Sequence, residues 1–373
     1  MITSLGTGNL YIDAYQLITG DTLAPGIYDE FLPDSLLNFN VNDSGAINRN
    51  LFGCNPATSW CLQKLFFSFG DGFAFTRNPN ASLSFNFAGT GFSTITNVDF
   101  SGVDFRICYK RKANTTPFSA VTGNQTDPAQ VDLTANDVTG IWCDLRTTNQ
   151  GTFTNADWNE LNDNLPDVFG GGFRYGFSYY GLPLDEYTAE IRIVDTSILN
   201  FHRLQIDAIA VFDDPQNVAL MEPGFYDDAD APISYEPAAQ WSTPQQFVGP
   251  PFGPYNLTKH QSTTAGSIAQ MRVDGNALTL YHGVNFINSR QVNVCMLITG
   301  ETPHCTRANE EIVDPAGSPI SNSHEVTEFS QNGPFANFVP VMFYGLGDGE
   351  HTVIMENVAH NQEFNIDAVR VHE

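Results

Sequence analysis

The tripeptide Ile-Asp-Ala occurs three times, in "NLYIDAYQLI" (Ile12, Asp13, Ala14), "RLQIDAIAVF" (Ile206, Asp207, Ala208) and "FNIDAVRVHE" (Ile366, Asp367, Ala368). Upstream of the second and third, one series of landmarks runs in the same order. "GIYDE" from Gly26 answers "GFYDD" from Gly224, and "ASLSFNFAGTGFSTIT" answers "GSIAQMRVDGNALTLY". "FRICYK" around Cys108 answers "VNVCML" around Cys295, and "YGFSYYGLPLDEYTAEIRI" answers "PVMFYGLGDGEHTVIME". Landmarks kept in register over such a distance mark an internal repeat, with copies at residues 23–214 and 215–373. Length agrees, because 373 residues exceed one ordinary hydrophobic core.

Each copy reads as all-β. "SLSFNFAGTGF" alternates Leu83, Phe85 and Phe87 with polar residues before Gly89 and Gly91 break the strand, and "AEIRIVD" and "HTVIMEN" are read with the same period of two. Helical periodicity is nearly absent. Its best instance is "TNADWNELNDNL", where Thr154 and Asp157 resemble a capping box ahead of Trp158 and Leu161. The expected architecture is two tandem β-sandwiches. Residues 1–22, with Leu10, Tyr11, Ile12, Asp13 and Ala14, stand outside both copies and read in three ways: the final strand of a preceding unit, a strand given to the open sheet edge of another subunit, which would make a homopolymer, or a strand docked within its own chain.

The repeat also partners the cysteines. Cys295 and Cys305 flank a hairpin-sized segment, Cys108 holds the place of Cys295 in the first copy and takes Cys143, and Cys54 and Cys61 remain as a local staple. Three disulfides without a zinc-like Cys spacing imply an oxidising compartment, extracellular or at the cell surface. Sequons at Asn42, Asn80, Asn114, Asn124 and Asn256 permit glycosylation there. No apolar run reaches the length of a membrane span.

A net charge of -26 opposes binding to nucleic acid or anionic lipid, since both demand cations against phosphate. The one basic run, Lys110, Arg111 and Lys112, is read as a solvated strand end. No nucleophile elbow, zinc-protease motif or phosphate loop is present, so no enzyme activity is expected.

The landmarks resemble those of galactose-binding-like jelly rolls that occur in tandem in extracellular proteins. The second copy carries the resemblance through Tyr226, Asp227 and Asp228, then Trp241, "HQSTTAGSIAQMRVDG" from His260, "GLGDGEHTVIM" from Gly345 and "FNIDAVRV" from Phe364. The first copy departs from it, with "GLPLDEYTAEI" in place of the Gly-Glu-His-Thr turn and long insertions after Cys54 and Lys112. The resemblance implies a β-sandwich of eight or nine strands per copy and says little about ligand. It also implies a structural calcium near the first and last strands, where Asp227, Asp228, Asp230 and, in the first copy, Asp29 and Glu30 supply hard oxygen ligands. The alternative role for these acids is capping turns.

Stacking on a sugar requires exposed rings. Trp241 belongs to the strand pattern, and Trp60 and Trp142 adjoin Cys61 and Cys143 and are expected to pack on disulfides. Trp158, Tyr179 and Tyr180 are left as the glycan-contacting candidates. The leading expectation is therefore an extracellular structural or adhesive repeat protein assembled by strand addition. The other is a pair of carbohydrate-binding modules, free or attached to a larger secreted enzyme.

Overall fold

The computed structural model describes residues 21–29, 36–41, 44–45, 47–48, 54–64, 72–98, 103–121, 131–147, 173–194, 204–213, 218–242, 258–264, 266–283, 292–298, 304–307, 321–323, 338–344, 349–357 and 364–373. The segments Leu10–Ala14 and 151–172, the latter with Trp158 and the helix reading, lie outside them, as do Glu30, Asn42, Asn124 and Asn256.

Among the described residues the chain is built from strands and three single 3-10 turns. The first copy holds β1 (Thr22–Leu23), β2 (Gly26–Asp29), β3 (Asn38–Val41), β4 (Ser44–Gly45), β5 (Ile47–Asn48), β6 (Trp60–Lys64), β7 (Gly72–Thr76), β8 (Ala81–Gly89), β9 (Gly91–Val98), β10 (Asp104–Arg111), β11 (Ile141–Thr147), β12 (Phe173–Tyr179), β13 (Asp185–Ile193) and β14 (Leu204–Phe212). The second holds β15 (Leu220–Met221), β16 (Gly224–Asp227), β17 (Ser234–Glu236), β18 (His260–Ser262), β19 (Ile268–Asp274), β20 (Ala277–Gly283), β21 (Val292–Ile298), β22 (His304–Arg307), β23 (Ser321–Ser323), β24 (Phe338–Tyr344), β25 (Glu350–Asn357), β26 (Phe364–Ile366) and β27 (Ala368–His372).

The pairing repeats with the sequence. One sheet of the first copy runs β11-β10-β13-β8, with β1 parallel and β3 antiparallel to β8; its counterpart runs β22-β21-β25-β19, with β15 parallel and β17 antiparallel to β19. The second sheet runs β12-β9-β14 with β2 on β14, answered by β24-β20-β27 with β16 on β27. Each pair of sheets encloses its own core, from Leu23, Phe39, Phe87 and Ile191 in the first copy and from Met271, Leu280, Met355 and Val369 in the second.

The register gives the recurrent motifs physical reasons. Ile-Asp-Ala marks a bulge: the β14–β9 register shifts between Ile206 and Ala208, and Asp367 separates β26 from β27 while its N–H donates to the Tyr281 carbonyl. Gly89 and Gly275 stand where a Cβ would come within 2.3 Å of the Phe212 and His372 carbonyl oxygens respectively, so the hairpin turn needs glycine in both copies. Trp60 and Trp241 are the same residue twice. The Trp60 indole N–H reaches the Asn40 carbonyl at 3.2 Å, and that of Trp241 reaches the Glu236 carbonyl at 3.1 Å.

Cys54–Cys61 and Cys108–Cys143 are disulfides, and Cys108 lies directly opposite Cys143 between β10 and β11. Cys295 lies opposite Cys305 in the corresponding pair. The tryptophans beside them do not pack as expected. Successive residues of a strand point to opposite faces, so Cys143 joins Phe118 and Val121 outside the sheet, while Trp142 turns inward and stacks on Tyr109 at 5.1 Å. Trp60 likewise packs on Phe39. The basic run is not simply solvated either. Lys110 is buried over the Phe118 ring, Arg111 pairs with Asp185, and Lys112 pairs with Asp21 and Glu186.

The two sandwiches meet face to face. Ala210 and Phe212, on the outward side of β14, pack against Ile268 and Ile354, on the outward sides of β19 and β25. Gly266 fits into this joint with φ +83°, and a Cβ there would meet Ala210 and Ile95 at 3.0 Å. "HTVIMEN" is therefore not alternating: every residue from His351 to Asn357 is buried, because β25 has a core on one side and the neighbouring sandwich on the other.

Candidate functional site

The joint singles out one sheet face by what is missing from its counterpart. In the first copy the outward face of β2, β14 and β9 carries Ile27, Ala208, Ala210, Phe212 and Ile95, and the second sandwich covers it. The register places Phe225, Ala368, Arg370, His372 and Tyr281 at those positions in the second copy. There Phe225 and Arg370 reach solvent, while Ala368 and Thr279 beneath them are buried. Phe225 is 45% exposed, an unusual state for a phenylalanine on a sheet, and its ring lies 5.7 Å from that of Tyr281.

Strand pairing sets this geometry. Phe225 sits opposite Arg370 across β16–β27, and Arg370 opposite Thr279 across β27–β20, so ring, guanidinium and hydroxyl form one row over three strands. Tyr281 adds a second ring one step along β20. The Thr279 hydroxyl lies 2.9 Å from His372 Nε2, and burial, with the positive charge of Arg370 beside it, holds the His372 imidazole below its usual pKa range. His372 is thus neutral at neutral pH and offers hydrogen bonding without charge. The Arg370 side chain is exposed and makes no ion pair or hydrogen bond among the described residues, whereas those of Arg111, Lys112, Arg192 and Arg272 are each paired with a carboxylate. Pro223, Gly224, Phe225, Arg370, Val371, His372 and Glu373 line a shallow groove beside the row.

The residues named from sequence fall elsewhere. Tyr179 is buried against Trp142 and Phe92 in the first core. Tyr180 stacks on Phe212 at 5.2 Å and donates to Glu356, which makes it part of the joint. Asp227 and Asp228 are buried; the Thr258 hydroxyl, with one proton to donate, lies 3.0 and 2.7 Å from their carboxylates, and His260 Nδ1 lies 2.7 Å from Asp228. These bonds ease the repulsion between the two carboxylates. Asp230 is exposed and Asp29 pairs with Ala208 at the strand edge. No group of three metal-ligating side chains occurs among the described residues. Asn80 is exposed, while the Asn114 amide is buried and donates to the Ala135 and Asp137 carbonyls at 3.1 and 2.9 Å.

Sequence reasoning passed over Phe225 and Arg370. A signal was available: Ala210 and Phe212 in "IDAIAVF" become Arg370 and His372 in "IDAVRVH", a change from apolar to polar confined to one parity of one strand.

No family model matches the chain, and no curated protein matches it in sequence. Among solved structures it is similar to a xanthan lyase from Paenibacillus at 10% identity, over 95% of this chain and 27% of that one, with a TM-score of 0.27. The tandem CBM22 domains at the N-terminus of Xyn10C from Paenibacillus barcinonensis match at 8% identity over 95% of this chain and 100% of theirs, TM-score 0.25. A tail fibre protein from an E. coli phage matches at 10% identity over 95% and 42%, TM-score 0.27. The chain thus spans about a quarter of the length of the lyase.

Proposed function

We propose that the protein is an extracellular glycan-binding pair of jelly rolls, and that the outward face of β16, β27 and β20 holds the glycan. One observation carries the reading: of two equivalent sheet faces, one is apolar and closed by the neighbouring sandwich, and the other exposes Phe225 and Arg370 beside the partly exposed Tyr281 and His372. Sugars need this mixture, with flat rings to cover their C–H faces and nearby donors and acceptors for their hydroxyls. A face meant for a permanent protein contact would keep the apolar set of the first copy. The two disulfides fit an oxidising, extracellular setting. Among the described residues no helix is long and apolar enough to cross a membrane.

Affinity electrophoresis in a panel of soluble polysaccharides tests the reading. Phe225→Ala is expected to weaken retardation by at least about five-fold, the worth of a lost aromatic contact. Leu184→Ala, at an exposed position of the first copy, is expected to change nothing. Absence of binding to every polysaccharide, or self-association abolished by Phe225→Ala, would overturn it and make the face a protein contact.

A further inference from the structure

We infer that the glycan held on this face carries isolated carboxylates: a neutral chain bearing single uronate residues, with one uronate seated on Arg370 and its neutral neighbours on Phe225 and Tyr281. The inference rests on the glycan reading above and deepens it. Arg370 is the starting point. In a chain with 42 acidic residues and 16 basic ones, Arg370 is exposed and meets no carboxylate among the described residues, and it stands between Phe225 and Thr279 in the row. A planar guanidinium matches a carboxylate through two parallel N–H···O bonds, a geometry neutral hydroxyls do not reproduce.

The charge count around the groove limits how many carboxylates the face accepts. His372 is uncharged at neutral pH, for the reason given above, and Glu373 lines the same groove with negative charge. Arg370 is therefore the single cation of the described groove. The remainder of the molecule is strongly acidic, with a net charge of -26, and repels a dense polyanion as it approaches. At physiological salt that field is screened beyond about 8 Å, so a lone carboxylate in contact with Arg370 is governed by the guanidinium, while a run of uronates extends past it into repulsion. Attraction for one carboxylate and rejection of many follow from the same arrangement.

Isothermal titration of the intact chain with three probes tests this: an oligosaccharide ending in glucuronate, the same oligosaccharide with its carboxyl reduced to the alcohol, and polygalacturonate. The glucuronate probe is expected to bind about ten-fold more tightly than its reduced partner, and polygalacturonate more weakly than either at low salt. Arg370→Gln should erase the ten-fold difference between the two oligosaccharides, while Arg370→Lys, which keeps the charge but not the paired donors, should recover only part of it. Equal affinity for the two oligosaccharides, both lost in Phe225→Ala, would overturn the inference and leave the glycan reading standing. Tightest binding to polygalacturonate would overturn it as well. Failure of all three probes in a protein that still binds other glycans also counts against the uronate, whereas failure with every glycan removes the reading beneath it.

Discussion

The two copies share a strand order, a hairpin glycine, a bulged Ile-Asp-Ala and a core tryptophan, yet they spend their outward faces differently. In the first copy the β14 face is apolar and closed; in the second the matching β27 face is polar and aromatic, with Phe225 and Arg370 exposed. The other sheets reverse the assignment. The outward side of β8 and β13 carries Ser82, Ser84, Asn86, Thr188, Glu190 and Arg192, and Glu190 pairs with Arg192 there. Ile268 and Ile354 occupy the places of Ser82 and Glu190 in the second copy and are buried in the joint. Duplicating one sandwich thus yields a molecule with a front and a back. A small number of outward substitutions decides which faces join and which stay free, and the shared inward residues keep the fold constant.

Exchanging residues between equivalent positions puts this comparison under strain. The largest effect is expected from Ile354→Glu, which gives the second copy the residue found at Glu190. A carboxylate at a position 3% exposed and packed on Ala210 and Phe212 has no cation waiting for it, and urea unfolding should show a loss of about 4 kcal/mol. A loss below about 1 kcal/mol would mean that the joint opens without cost and that the copies are independent beads.

Trp60→Phe and Trp241→Phe probe what the copies share. Each removes an indole N–H from the equivalent carbonyl while keeping most of the ring, so each should cost about 1–2 kcal/mol. Trp60 should sit at the upper end, because its N–H is also 3.2 Å from the Ser82 carbonyl. Unequal effects with Trp241 the larger would break the equivalence.

The smallest effect concerns Glu236, which stands where the first copy has Asn40. Burial holds its carboxyl above the ordinary range, only partly offset by a hydrogen bond from Ser234. With the folded pKa above the unfolded one, ionisation costs stability once pH rises through the unfolded value, and the cost is fully present above the folded value. Glu236→Gln should therefore stabilise slightly at pH 7, by less than about 1 kcal/mol. The gain should fade as pH falls toward 4.5, the carboxyl's ordinary value. Thermal melts across that window check the sign, and a gain that grows on acidification would refute it.

What was legible in the sequence is what depends on short range. Strand after strand could be read from alternation, since a period of two records which side chains meet a core. Two of the three cysteine pairs, and the shared strand order of the two copies, followed from register, which local pairing transmits faithfully. Even the joint left a trace, in the unbroken apolar runs "IAV" of β14 and "VIM" of β25, although "HTVIMEN" reads as alternating when one expects only one buried face. The candidate site was the least legible part. Tyr179, Tyr180 and Trp158 are the conspicuous rings of the sequence; packing places Tyr179 in a core and Tyr180 in the joint, and Trp158 lies outside the described residues, while Phe225 in "GFYDD" gives no local sign of its exposure.

By itself, then, the chain's order of residues determined a repeated β-sandwich with paired cysteines, because hydrogen-bond register and alternation are written along the backbone. Which outward face is covered, and so which side is free to bind, was decided only when one sandwich came to rest on the other. Exposure belongs to the contact between surfaces that are distant in sequence, and Ile27 and Phe225 occupy the same strand position with opposite fates.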